Sequence, residues 1–270
     1  MAKLPPDTSA STGAAGGVQS VDRALAILEV LGEDEEGYRL THLAQRTGLS
    51  PSTVHRLLTT LERRRFVQFD HGAGTWHIGR TTFSVGAAFV RQRNFVAPAL
   101  PFLRRLRDQT RETANLGVID EGEVVVLTQV ESREITRAIT RVGGRAPMVS
   151  SGMGKATLAT YSTEDVTALI RSRGLRKTTS KSIVRRGDLM AELERIRQNG
   201  YAVDDEEYAA GLRCIAAVVY NHQAEALCAI SISGLAERLT GDRIPALGRL
   251  VSDTAREMTL ALGGRTNASS

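Results

Sequence analysis

Cysteine is scarce in this 270-residue chain: Cys214 and Cys228 are the only two, neither sits in a CxxC pair, and no Cys/His cluster has zinc spacing. A disulfide framework or a structural metal needs more than that, so neither is expected. Long apolar runs are missing too. No stretch approaches the ~20 residues that cross a bilayer, and the opening MAKLPPDTSASTGAAGG has no apolar core that could serve as a secretion signal. No membrane partner is expected, and the cytoplasm is the expected compartment. Internal repeats are absent, and GMGK at 152–155 is not the GxxxxGK[ST] of a phosphate-binding loop.

What is present is enough apolar material, 41% of the residues, to build one large core or two ordinary ones. The net charge is +5, and its placement matters more than its size. Basic and acidic residues balance over 1–90 and again over 112–270, so the whole excess lies in 91–111. The first region is itself uneven, because Gly37 to Arg80 carries seven arginines against Glu62 and Asp70 alone. Two adjoining basic patches in the first 111 residues are the footprint of phosphate binding, with solvated helix faces as the ordinary alternative.

Residues 1–17, rich in Pro, Ser, Thr, Ala and Gly, cannot bury enough surface to offset ordering entropy and read as a disordered tail. SVDRALAILEVLG then predicts a helix with Val21, Ala24, Leu25, Leu28 and Leu31 as its apolar stripe, Ser20 as N-cap and Gly32 as stop. In LTHLAQRTGLS, Thr41 is placed to cap a short helix ending at Gly48. Ser50 caps the next one, and Pro51 takes its tolerant first position. RFVQFD and TWHIG around HGAG give a hairpin signal. Residues 18–80 thus read as a winged helix-turn-helix. The stretch 81–96 reads as a linker helix interrupted near Pro98, and 97–264 as a second domain that opens with Phe102, Leu103 and Leu106 turned inward. A tail of 265–270 follows. The second domain alternates strand-like runs (ANLGVID, EVVVLTQV, ITRAITRV, CIAAVVY, LCAISIS) with helical ones, so the overall class is α+β.

GLSPSTVHRLLTTLERRR, Gly48 to Arg65, is amphipathic. Val54, Leu57, Leu58 and Leu61 ask for a core, while Ser52, Thr53, His55, Arg56 and Thr59 point elsewhere. Short hydroxyl, imidazole and guanidinium groups near a helix start are what a helix entering the major groove requires. Thr41 and Ser50 on the approach, and Thr75 and His77 on the wing, complete the candidate DNA surface. The partner is double-stranded DNA in a pseudo-palindromic operator. One recognition helix reads few base pairs, so a homodimer is expected, with Phe83, Val90 and Gly86-Ala87-Ala88 as candidates for the contact.

In the second domain, SSGMGK lies between strand-like and helical text. The amides of Gly152 and Met153 are therefore either part of an ordinary Gly-rich turn or free to meet a carboxylate. AISISG puts Ser231 and Ser233 on one strand face, either satisfied by backbone or available to a ligand. Asp204 to Glu207 reads as a solvated acidic loop, and Cys214 as a small buried hydrophobe.

VQSVDRALAILEVL, LTHLAQRTGLSPSTVHRLLTTLERRRFV, SSGMGKATLA, NGYAVDDEEYAAGLRCIAAVVY and AISISGLAERLT, in this order, resemble the IclR family of bacterial transcriptional regulators from about Val18 to Gly264. Within the family they are most similar to the repressors of the glyoxylate bypass operon. The resemblance implies a winged helix, a linker helix and a GAF/profilin-like effector domain, in a dimer often paired into a tetramer on DNA. It also implies that Gly152, Met153, Asp204, Cys214, Ser231 and Ser233 line an effector pocket faced by an apolar patch with Leu212, Met153 giving only its backbone. Ala138 and Ala146 stand where the most similar repressors carry bulkier residues. The implied effector is a small carboxylate such as glyoxylate or pyruvate, with a larger carboxylate or a ureide as alternative, and no cofactor.

An enzyme acting on 2-oxo acids through Cys214 is the competing reading. His42, His55, His71 and His77 all fall in the winged helix, leaving only His222 as a nearby base. Asp204 and Glu207 would be the alternative acid/base pair.

Overall fold

The computed structural model describes residues 17–91, 94–132 and 141–265, and divides into two compact units, 1–92 and 93–270. In the first unit, α1 (Gln19–Leu31), α2 (Leu40–Thr47) and α3 (Pro51–Arg63) precede a hairpin of β1 (Val67–Asp70) and β2 (Thr75–Ile78), followed by α4 (Arg80–Arg91). Ile27, Leu31, Leu43, Val54, Leu58, Val67 and Trp76 form its core. Gly48 ends α2 at φ +67°, a left-handed turn that glycine takes without a Cβ penalty, and Ser50 Oγ accepts from the Thr53 amide to start α3.

Two expected caps are corrected. The Val18 carbonyl already accepts from the amides of Val21 and Asp22, so α1 begins before Ser20, which lies inside its first turn. Tyr38 pairs with Trp76 as an isolated bridge, and α2 starts directly after it with Arg39 at the N-cap, leaving Thr41 within the helix. The stripe of α1 is rotated as well. Ala24, Ile27, Leu28 and Leu31 turn inward, while Val21 and Leu25 are 52% and 51% exposed. With apolar residues nearly all round this helix, periodicity alone does not select the buried face.

The second unit opens with α5 (Val96–Thr110). The helical break precedes Val96 rather than falling at Pro98. Pro98 sits in the first turn of α5, where a missing N–H costs nothing. A six-stranded antiparallel sheet follows, made of β3 (Thr113–Asp120), β4 (Glu123–Val130), β5 (Arg145–Pro147), β6 (Ala202–Asp205), β7 (Leu212–Tyr220) and β8 (Ala226–Leu235), in the order β5-β4-β3-β8-β7-β6. Its remaining helices are α6 (Gly152–Leu158), α7 (Thr163–Arg173), α8 (Arg186–Asn199) and α9 (Ile244–Ala261). α5 and α9 pack on one face, and α6 packs on the other with α8 against it. Val124, Val126, Met148, Met153, Leu189 and Leu193 share the cluster on the α6 side. Residues 135–140 of the strand-like run ITRAITRV lie outside the described residues, Ala138 among them.

Candidate DNA-binding and effector sites

α3 buries Val54 and Leu58 completely and leaves Ser52, His55 and Arg56 in solvent. Ser50 Oγ gathers the N-terminal turn, lying 3.1 Å from Ser52 Oγ and 2.9 Å from Thr53 Oγ1. Thr59 Oγ1 donates to the His55 carbonyl at 2.9 Å, which leaves its oxygen lone pairs to meet a donor. On the wing, Thr75 Oγ1 and His77 Nε2 are 2.9 Å apart on the face of β2 opposite the buried Trp76. Thr41 is exposed on α2.

In the second unit the strand register assembles the other site. Residues paired across antiparallel strands share a face. One row runs Gln129, Asn115, Ser231 and Ala216, and the next runs Thr113, Ser233, Cys214 and Asp204. The first turn of α6 lies over these rows. A Cβ on Gly152 would stand 3.0 Å from Cys214 Sγ, so any side chain there would crowd the thiol. Ser151 Oγ caps the Gly154 amide at 3.2 Å, which leaves the Gly152 and Met153 amides as the first two N–H groups of the turn. Gly152, Met153, Asp204, Cys214, Ser231 and Ser233 are thereby brought together. Leu212 occupies the same face of β7 one step further out, paired with Leu235, and Ala146 packs in the cluster that holds Met153.

Asp204 is not in a solvated loop. β6 pairs it with Cys214, it is 2% exposed, and its Oδ1 accepts from the amides of Glu207 and Tyr208 at 2.8 and 3.3 Å. Burial pushes its carboxyl up to about 7, with the charge of Glu207 acting in the same direction. Burial, and then the Asp204 charge, pushes the Cys214 thiol up to about 11. A thiol held neutral at pH 7 is a poor nucleophile. His222 is no base for it, because Cys214 and Tyr220 already stand roughly 20 Å apart on one strand at about 3.3 Å per residue.

Two participants escaped sequence reasoning. Asn115 Nδ2 donates to Ser231 Oγ at 3.3 Å and Ser233 Oγ at 3.0 Å from the adjacent strand. Alternation in ANLGVID sets Asn115 against Ala114 and Leu116, and a polar residue at an inward position of an apolar strand was the available signal. Lys155, one turn into α6, is fully buried, hydrogen-bonded to Glu207 and 3.5 Å from Glu192 of α8. Burial raises the Glu207 carboxyl while Lys155 opposes the shift.

A winged helix joined to a separate domain, in which neutral polar side chains of a sheet meet a helix start, is the layout of a ligand-responsive DNA-binding regulator. The IclR helix-turn-helix domain matches residues 20–71, and the C-terminal domain of the bacterial transcriptional regulator IclR matches residues 87–260. The chain is 42% identical to the transcriptional repressor IclR of Escherichia coli (strain K12), over 94% of both chains. It is 41% identical to the acetate operon repressor of Salmonella typhimurium over 92% of both. The crystal structure of the Thermotoga maritima IclR superposes with a TM-score of 0.76 at 25% identity, covering 91% of this chain and 99% of that one. The chain belongs to the IclR family of bacterial transcriptional regulators and is a regulator rather than an enzyme. No helix among the described residues is long and apolar enough to cross a membrane.

Proposed function

We infer that the protein is a repressor of a carbon-metabolism operon, acting in the cytoplasm. It docks on a pseudo-palindromic operator through Ser52, Thr53, His55 and Arg56 and is switched by a small carboxylate such as glyoxylate or pyruvate. One observation carries the effector reading: the helix start that bears the Gly152 and Met153 amides packs on the strands that bear Ser231 and Ser233. Neutral donors of that kind hold a carboxylate by several charge-assisted hydrogen bonds. Asp204, already occupied by two backbone amides and inclined to stay protonated, does not repel it. The names of the Escherichia coli and Salmonella relatives support the repressor and acetate-linked parts of this reading. The small side chain of Ala146 leaves a larger carboxylate or a ureide as the second reading. Effector binding would alter operator affinity by about 1–3 kcal/mol, the usual scale of such coupling.

The winged-helix unit offers an apolar face for the dimer. Val18, Val21 and Leu25 follow one another along α1 at 64%, 52% and 51% exposure, and Phe83 of α4 is 75% exposed. A second copy of the same face would cover them. Sedimentation at micromolar concentration should give a dimer or tetramer, and a monomer would count against this part.

Replacing Arg56 by Ala should weaken operator binding by roughly 1–3 kcal/mol. If the guanidinium reads a base, preference at one operator position relaxes. If it holds a phosphate, the salt dependence flattens instead. Gel-shift titration over a range of salt separates these outcomes, and unchanged affinity would remove Arg56 from the interface.

A further inference from the structure

We propose that Asn115 reads a hydrogen-bond donor on the effector, so that the effector is a small carboxylate with a hydroxyl on the neighbouring carbon. A 2-hydroxy acid, or a 2-oxo acid such as glyoxylate or pyruvate bound as its hydrate, fits that description, and the unhydrated carbonyl form does not. This inference rests on the carboxylate reading of the site and narrows it.

Asn115 is 1% exposed on the central strand β3, directly opposite Ser231. Its amide nitrogen donates to the oxygens of both serines and lies 3.4 Å from the Thr113 carbonyl, which can only accept. That carbonyl favours nitrogen at this end of the amide. Both serine oxygens thus have a donor beside them, and their protons point elsewhere, to the nearby Cys214 sulfur or to a bound group that displaces it. A carboxylate held between the serines and the α6 amides is suited to receive those protons.

The other end of Asn115 has no such arrangement. Its Oδ1 is buried without a hydrogen-bond partner, and so is Oε1 of Gln129, the residue paired with Asn115 on β4. Cross-strand partners of this kind hold their Cβ atoms about 4.5–5.5 Å apart, so the two side chains are neighbours on the same side of the sheet. Buried carbonyl oxygens in folded proteins nearly always find a donor. A carboxylate has none to give, and neither has a ketone. A hydroxyl on the carbon beside the carboxylate does, and a carboxylate engaged by the serines holds that carbon within one bond of the anchored group. Leaving such an oxygen desolvated and unmet weakens binding by about tenfold to a hundredfold.

The test is calorimetric titration of the full-length protein with acids that differ by a single hydroxyl: glycolate against acetate, and lactate against propionate. In the wild type the hydroxy acid of each pair should bind at least about tenfold tighter. In Asn115→Ala both members should bind more weakly, and the ratio within each pair should shrink to less than about threefold. If Asn115→Ala fails to melt cooperatively, the wild-type ratios together with Gln129→Met decide, because that substitution removes the second orphan oxygen and should also narrow the gap. Ratios near one in the wild type, or ratios untouched by Asn115→Ala and Gln129→Met, overturn the inference. A water molecule satisfying Oδ1 would produce that result. The double variant Ser231→Ala/Ser233→Ala separates the two levels. It should lose affinity for all four acids. If it binds them as the wild type does, the carboxylate site itself is misplaced. If it loses them while Asn115→Ala keeps its hydroxyl preference, only the role of Asn115 fails. Failure of all four acids to bind the wild type overturns both.

Discussion

Replacing Lys155 by Met is expected to destabilise the effector domain by about 3–5 kcal/mol at neutral pH, the scale on which one partner is removed from a buried ion pair. The methionine fills most of the space, so the loss is electrostatic rather than a cavity. Lys155 is 0% exposed and its ammonium lies between Glu207 and Glu192, on two separate elements that α6 must hold. Without it Glu207 is left in a buried site with Oε1 unpaired, and its Oε2 already has no hydrogen-bond partner. Burial raises the Glu207 carboxyl even with the lysine present, so in Lys155→Met it should protonate and cap the damage. The deficit should therefore shrink at pH 5. Pairing the substitution with Glu207→Gln should recover a large part of it, a coupling a double-mutant cycle measures directly. A loss below about 1 kcal/mol in urea denaturation would show that the pair is not a structural tie.

Lys155 also marks where sequence reasoning stopped short. GMGK could be rejected as a phosphate loop because its spacing is wrong, but nothing local states that a lysine will be buried. That fact depends on Glu207, 52 residues later, and on Glu192 from α8. The same applies to Asp204 to Glu207. A run of carboxylates is hydrophilic by composition, and only its pairing as edge strand β6 against β7 puts Asp204 inside. By contrast, the helix-turn-helix is written locally. Gly48 is needed for its positive φ, Ser50 for its hydroxyl and Pro51 for its fixed φ, and each acts within a few residues. Alternation placed Ser231 and Ser233 on one face for the same reason. Asn115 went unread, because its place on that face emerges only from the register of β3 against β8. The choice of buried face on α1 required the partner helices, since Ile27 and Val21 are equally apolar as text.

Asp204→Asn is expected to stabilise the protein at pH 8 and to do so by much less at pH 5. In the folded chain burial lifts the Asp204 carboxyl from an ordinary value of 3.8 to about 7. Between those two values the folded state binds more protons than the unfolded one, so stability falls as pH rises through this window and the loss is complete above about pH 7. At 1.36 kcal/mol per pKa unit the full cost is on the order of 4 kcal/mol. Asparagine keeps a carbonyl oxygen for the amides of Glu207 and Tyr208 but cannot ionise. Urea denaturation of wild type and variant at pH 5, 6.5 and 8 should show the gap between the curves widening by about 2–3 kcal/mol from the acid to the basic end. Glu207 is raised as well, so some pH dependence should persist in the variant. Parallel profiles would mean that Asp204 is ionised throughout and held by its two amides. The same proton bears on the switch: an anionic effector beside a neutral Asp204 meets no repulsion, whereas above pH 7 the two charges would oppose one another. Carboxylate affinity in the wild type should then decline as pH rises from 6.5 to 8, and this decline should be absent in Asp204→Asn.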